Sequence, residues 1–221
     1  MKNEVLIDES YQGYIKVFYS EIETISPKIQ KLLEDKNITI KLVNNVYDIK
    51  TKEEENKNYD KFYSQKYAEQ VKKSFPTRGI MSDEKICIAI FKDNTDITNI
   101  GAILYHEIGH FLDAYKNFGN INSLADLEFS SNPEFVEAYT KDFVANWDKI
   151  KTDTNFRLKH FIQDSTPEKI VKSGITESFA EIFRFLNKKV IDAKTVELYF
   201  PTAIEVEKKL LTEKYQLSLP S

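Results

Sequence analysis

Cysteine is almost missing from this 221-residue chain, and the single Cys87 has no partner for an internal disulfide. One thiol also excludes any metal site built from several cysteines. Set in the apolar run Ile86–Phe91, Cys87 reads as a buried structural thiol. Long apolar runs are lacking too: nothing approaches the ~18–20 residues that a membrane-spanning helix needs. With 30% of its residues charged, the chain is too polar for a membrane protein. The opening MKNEVLIDES has no apolar core of the kind a secretory signal carries. Lys and Arg never gather free of neighbouring acids and the net charge is -4, so no nucleic-acid partner is expected. Gly and Pro number six each, few enough breakers to predict a helix-rich chain. No repeat, low-complexity linker or convincing domain boundary interrupts it.

What is present is one domain's worth of patterned apolar residues, 41% of the chain. Val5–Ile7 predicts a first short strand. Ile22, Ile25, Ile29, Leu32 and Leu33 keep a helical spacing, which Pro27 interrupts, so a helix is expected from Pro27 with Ser26 as its N-cap, ending at Asn37. Ile38–Val43 alternates like a half-buried strand. The polar stretch from about 48 to 74 reads as solvated helix and loop. Pro76 and Gly79 mark a turn region before Ile86–Phe91, which predicts a buried strand and a candidate edge for binding an extended peptide. Helices are then expected from Thr95 or Asp96 to about Asn117, from Pro133 to Ile150 on the stripe Phe135, Val136, Tyr139, Phe143, Val144 and Trp147, and from Thr176 onward after Gly174. Strands and helices come first and helices alone follow. This order predicts an α+β domain with a small mixed sheet in about 1–94 and helices in about 95–221.

The chemistry concentrates in His106-Glu107-Ile108-Gly109-His110. Residues four apart share a helix face, so both imidazoles can reach one metal ion. Zinc accepts neutral imidazole readily, and a catalytic zinc keeps three protein ligands and one open position. Glu107, one residue past the first ligand, stands beside the ion and is placed to act as the base towards a water. Two of the chain's three histidines therefore flank a glutamate at the one spacing that chelates from a helix. For the third ligand the choices are His160, in a polar stretch, or Glu177 and Glu181. These two glutamates share a face of the last predicted helix, opposite its apolar stripe, with Arg184 one turn on. One of the pair binds metal and the other accepts the ring N–H of a ligand histidine, an order that helix geometry leaves open. Taken without the HExxH, the pair would read as an ordinary solvated face. Asp113, three residues past His110, is read as a side chain behind the ligands, a loop cap or a salt-bridge partner.

Together these residues resemble a family, the catalytic domain of anthrax toxin lethal factor and the related secreted clostridial Pro-Pro endopeptidases. The resemblance lies in HEIGHFLDAYKNFG at 106–119, in ESFAEIFRF at 177–185 and in ISPKIQKLLEDKNITIKLV at 25–43. A weaker echo lies at Phe200-Pro201-Thr202, and the stretch between HExxH and the glutamate pair is longer here. The resemblance implies a single zincin-like metallopeptidase domain of gluzincin type, over 1–221, with the sheet packed on the active-site helix. It implies one zinc on His106, His110 and Glu177, with Glu107 as base and Glu181 behind the ligands. It further implies a peptide or protein substrate and a secreted, toxin-like setting, with a cytoplasmic zincin cleaving a regulator as the alternative; a monomer is expected. A non-catalytic docking copy of the fold would lack the metal motif, and a structural zinc site would be closed by a fourth ligand. One departure is visible. The family carries a tyrosine seven residues before the ligand glutamate, thought to stabilise the oxyanion. That position is Ile170 here, and no tyrosine lies between Tyr139 and Tyr199, leaving His160 or a more distant tyrosine for the role.

Overall fold

In a computed structural model the described residues are 1–7, 11–43, 79–82, 85–89, 97, 99–118, 126–153, 158, 162–188, 193–217 and 219. The elements are β1 (Lys2–Leu6), α1 (Gln12–Thr24), α2 (Pro27–Asp35), β2 (Thr39–Val43), β3 (Gly79–Ser82), β4 (Lys85–Ala89), α3 (Asn99–Ala114), α4 (Pro133–Ile150), α5 (Lys172–Asn187), α6 (Ala193–Tyr199) and α7 (Pro201–Tyr215). A 3-10 turn, Tyr115–Asn117, extends α3. The chain divides into two units, Met1–Leu104 and Tyr105–Ser221, with the boundary inside α3. Among the described residues the strands fall in the first and most of the helices in the second, which makes the protein α+β. Among the described residues, no helix is long and apolar enough to cross a membrane.

The sheet is mixed, in the order β1-β2-β4-β3, with β1, β2 and β4 parallel and β3 antiparallel to β4. Its register sets Ile40 beside Ile86 and Leu42 beside Ile88, so the same alternate positions of both strands are fully buried. That is the consequence of a side-chain period of two. β1 is an edge and mostly exposed, tied to β2 by an ion pair from Lys41 to Glu4 at 2.9 Å.

Before β2, Ser26 caps α2 by accepting the Ile29 N–H, with Pro27 in the first turn, and Asn37 leaves the helix in the left-handed region at φ 55°. A helix not expected from the sequence, α1, precedes it. Its buried Phe18 and Ile22 continue through Ile25 into Ile29 and Leu33. One apolar stripe thus spans two helices, and Pro27 re-starts the helix rather than opening it.

Three further expectations are corrected. β3 begins at Gly79, where a turn was expected. β4 lies between β2 and β3, so both its edges are already hydrogen-bonded and it offers no edge to a peptide. Val144 is 47% exposed, because the buried face of α4 runs through Phe135, Ala138, Tyr139, Asp142 and Phe143. The stretch 48–74, Pro76, Ile90, Phe91, Thr95, Asp96 and the Cys87 side chain lie outside what is described.

In the second unit, α4 occupies the span its pattern predicts, with Asn132 accepting the Glu134 N–H as its cap. Asp142 of α4 reaches across to the start of α7, where Oδ2 accepts the N–H groups of Thr202 and Ala203 at 2.7 and 2.9 Å. Phe200 is the non-helical residue before α7 and supplies no cap of its own. A buried carboxylate from another helix therefore satisfies two free donors of that N-terminus. Tyr139 stacks on Phe200 with centroids 5.2 Å apart, which fixes the same junction.

Candidate metal centre

α5 starts at Lys172, earlier than Thr176, and carries Gly174 inside its first turns. A Cβ at Gly174 would lie 2.7 Å from the Ile162 carbonyl oxygen and 2.9 Å from Ser165 Oγ. The glycine is therefore present for close approach and does not mark a helix boundary. Its neighbour Thr176 is consequently inside the helix, buried, with Oγ1 in contact with Ser130 Oγ.

α5 is buried almost all round, as a central helix is. From Gly174 to Leu186 every residue is buried except Glu177. The same holds along the motif helix: from Tyr105 to Ala114 every residue is buried except His106 and His110. The solvated-face reading is thus excluded for Glu181, which with Arg184 is 4% and 1% exposed, while Glu177 is partly exposed.

The two helices meet at small residues. A Cβ on Gly109 would stand 2.8 Å from Ala180 Cα, 3.1 Å from the Ala180 oxygen and 3.2 Å from Phe183 Cβ. Only glycine in α3, opposite alanine in α5, lets the backbones come this near. The approach carries Glu177 to the histidines. His106 Nε2 and His110 Nε2 are 3.1 Å apart, and Glu177 Oε2 lies 3.3 Å from the first and 3.6 Å from the second. The imidazoles stand edge to face, at 89° between ring planes.

The donor set fits a metal ion. His106, His110 and Glu177 form a group in which all ligand atoms lie within 4.8 Å of one another. Donors at ~2.0–2.1 Å from a tetrahedral zinc stand ~3.3 Å from each other, close to the three separations found. Two imidazole nitrogens and a carboxylate oxygen turned on one point share at most one or two protons between them, so a cation there satisfies all three. Among the described residues this is the one such group, and it has three members.

Behind it, His106 Nδ1 donates to Glu181 Oε2 at 3.2 Å, which leaves Nε2 turned towards Glu177 and His110. Arg184 Nη2 donates to Glu181 Oε1. Burial works against a charged His106, but its hydrogen bonds to Glu177 and Glu181 outweigh that and hold its pKa at about 10 in the metal-free protein. Burial likewise pushes Glu181 upward, and His106 and Arg184 overcome it, keeping this carboxyl below the ordinary range. Glu107 adjoins His106 on α3 and is 7% exposed.

Asp113 takes the loop-capping role. Its Oδ1 accepts the N–H groups of Phe129 and Ser130 at 2.7 and 2.9 Å, while its own carbonyl accepts from Glu128. It is not one of the converging donors. His160 lies outside the described residues. Ile170 precedes α5 and has no hydroxyl to offer. Sequence reasoning passed over Arg184 as a partner of Glu181, and the paired Gly109 and Ala180. The small residues inside each motif were the available signal.

The chain matches no protein-family model and no curated protein.

Proposed function

We propose that this protein is a zinc-dependent endopeptidase with a zincin-like fold of gluzincin type, hydrolysing peptide bonds of a peptide or protein substrate as a monomer. The observation that carries the reading is the coincidence of exposure and chemistry. Along Tyr105–Ala114 and Gly174–Leu186, the three partly exposed residues are the three whose donor atoms converge on one point and could hold a metal ion. A structural zinc would be enclosed by four ligands, whereas three partly exposed donors leave a position for a reactant.

His106, His110 and Glu177 would hold the zinc. Bound there, zinc supplies Lewis acidity, which polarises a scissile carbonyl and makes water a better acid. Glu107, beside His106 in the same helix, receives the proton of the attacking water on its carboxylate and passes it to the departing amine nitrogen. Its burial keeps bulk water from competing for that proton. Glu181 holds the His106 Nδ1 proton, which leaves the Nε2 lone pair free for a metal that His106 would bind.

The resemblance to the lethal factor catalytic domain and the Pro-Pro endopeptidases supports the same ligand order, and with it a secreted, toxin-like setting. The proline preference of those peptidases is not carried over, because Ile170 stands where they have tyrosine. The reading is tested by digesting a peptide library with wild type and Glu107→Ala while measuring bound zinc. Both proteins are expected to hold one zinc, with cleavage by the variant lower by ~10²–10⁴-fold. Equal cleavage by the two would refute the proposal.

A further inference from the structure

Arg184 presents a problem that the metal site alone does not explain. It is the largest fully buried side chain in the described structure, 1% exposed, and a guanidinium taken out of water is costly unless its charge is used. Its hydrogen bond goes to Glu181 on the same helix, three residues back, while Nε and Nη1 are buried without hydrogen-bond partners. An arginine kept for packing alone would be replaced at lower cost by an apolar residue of similar size. What distinguishes this position is what lies at the other end of Glu181. One carboxylate oxygen takes the Arg184 bond and the other takes His106 Nδ1 at 3.2 Å.

We infer that Arg184 is a positioning residue for the metal ligand His106, acting through Glu181. A carboxylate held at one oxygen only can turn about its last side-chain bonds and carry its second oxygen away from the imidazole. Held at both, it has one orientation, and the His106 ring is fixed with it. Arg184 is suited to this because its planar fork meets a carboxylate in a defined direction, which the point charge of lysine does less well. Burial of Glu181 and Arg184 keeps water from offering this carboxylate another partner.

The inference rests on the metal-site reading, and its test separates the two. Zinc affinity is measured by competition with a chelator for wild type, Arg184→Met, Glu181→Gln and the double variant, on protein shown folded by far-ultraviolet circular dichroism. Arg184→Met is expected to weaken zinc binding by ~10–100-fold, the range found when an outer partner of a ligand histidine is lost. The double variant should bind no more weakly than Glu181→Gln alone, because Arg184 has nothing to position once Glu181 is changed. Arg184→Lys should recover part of the affinity and serves if Arg184→Met does not fold. The 15N shifts of the His106 ring in the zinc-loaded protein give a readout independent of affinity: an Nδ1–H tautomer in wild type, and a broadened or mixed signal in Arg184→Met. A purely structural arginine would lower the melting temperature but leave affinity and ring signals unchanged. That result, or additive losses in the double variant, overturns the inference while leaving the metal site standing. No zinc binding by wild type overturns both.

Discussion

The contact between Gly109 and Ala180 gives the most direct check on how the site is built. In Gly109→Ala the new Cβ begins 2.8 Å from Ala180 Cα and 3.1 Å from its carbonyl oxygen, both backbone atoms that cannot swing aside. Ordinary carbon contacts are ~3.5–4.0 Å, so the helices must part by roughly 0.7–1.2 Å. Two terms then compete in stability. Overpacking costs about 1–3 kcal/mol, while replacing glycine in a helix interior returns about 0.8–1 kcal/mol. The net is a loss of roughly 1 kcal/mol, which leaves the protein folded. The proposed metal site is less tolerant. Its histidines ride on α3 and Glu177 on α5, so the same separation displaces one ligand against the other two. Metal–ligand distances are held to about 0.2 Å, and a shift several times larger should lower zinc affinity by at least ~10-fold. The assay is paired: thermal unfolding of the metal-free protein, and chelator competition for zinc on the same samples. A variant that melts higher than wild type and binds zinc equally well would refute the claimed helix contact.

Four further outcomes are expected. At pH 7.5 the metal-free His106, with its pKa near 10, holds a proton that a metal must displace, so zinc binding should release about one proton, a number declining as pH rises past 10. Calorimetry in buffers of different ionisation enthalpy measures this, and buffer-independent heats would contradict it. The same raised pKa stabilises the metal-free fold below the unfolded value of 6.5, and that contribution is lost as pH rises through 10. Asp113→Ala should cost about 2–4 kcal/mol in denaturant unfolding, since the Phe129 and Ser130 N–H groups lose their acceptor; Asp113→Asn, which keeps an oxygen there, should cost much less, and equal costs would exclude the capping role. Glu207 in α7 is fully buried, with both carboxylate oxygens unpartnered. Burial and the nearby Asp113 charge push its pKa well up, so wild-type stability should fall as pH rises above its unfolded value near 4.5. Glu207→Met should therefore stabilise by about 1–3 kcal/mol at pH 8 and by less at pH 5; a variant less stable than wild type at pH 8 would contradict it.

Much of the local architecture was legible in the chain because it is set by neighbours in sequence. Ser26-Pro27 carries its own cap, β2 its own alternation, and Asn132-Pro133 the start of α4. The HExxH spacing fixes the meeting of His106 and His110 by helix geometry alone. The failures came where a local signal had a tertiary cause. Gly174 read as a boundary, yet it is a contact with Ile162 and Ser165. Val144 was placed on the apolar stripe of α4 but lies past its buried face, and β4 was a candidate edge because strand order is a property of the whole sheet.

Sequence by itself determined the two histidines, the glutamate between them and the pair Glu177 and Glu181, all matters of spacing within one helix. The relation between the two helices was decided only by tertiary structure, because it depends on backbones meeting at Gly109 and Ala180, 71 residues apart. That meeting brings Glu177 Oε2 within 3.6 Å of both imidazoles, and Glu181, one turn on, within 3.2 Å of His106 Nδ1. It also buries Arg184 against Glu181, where the sequence showed only another charge on a helix face. Donor chemistry is written residue by residue, but whether donors converge is settled by packing density, which allows close approach only where side chains are small.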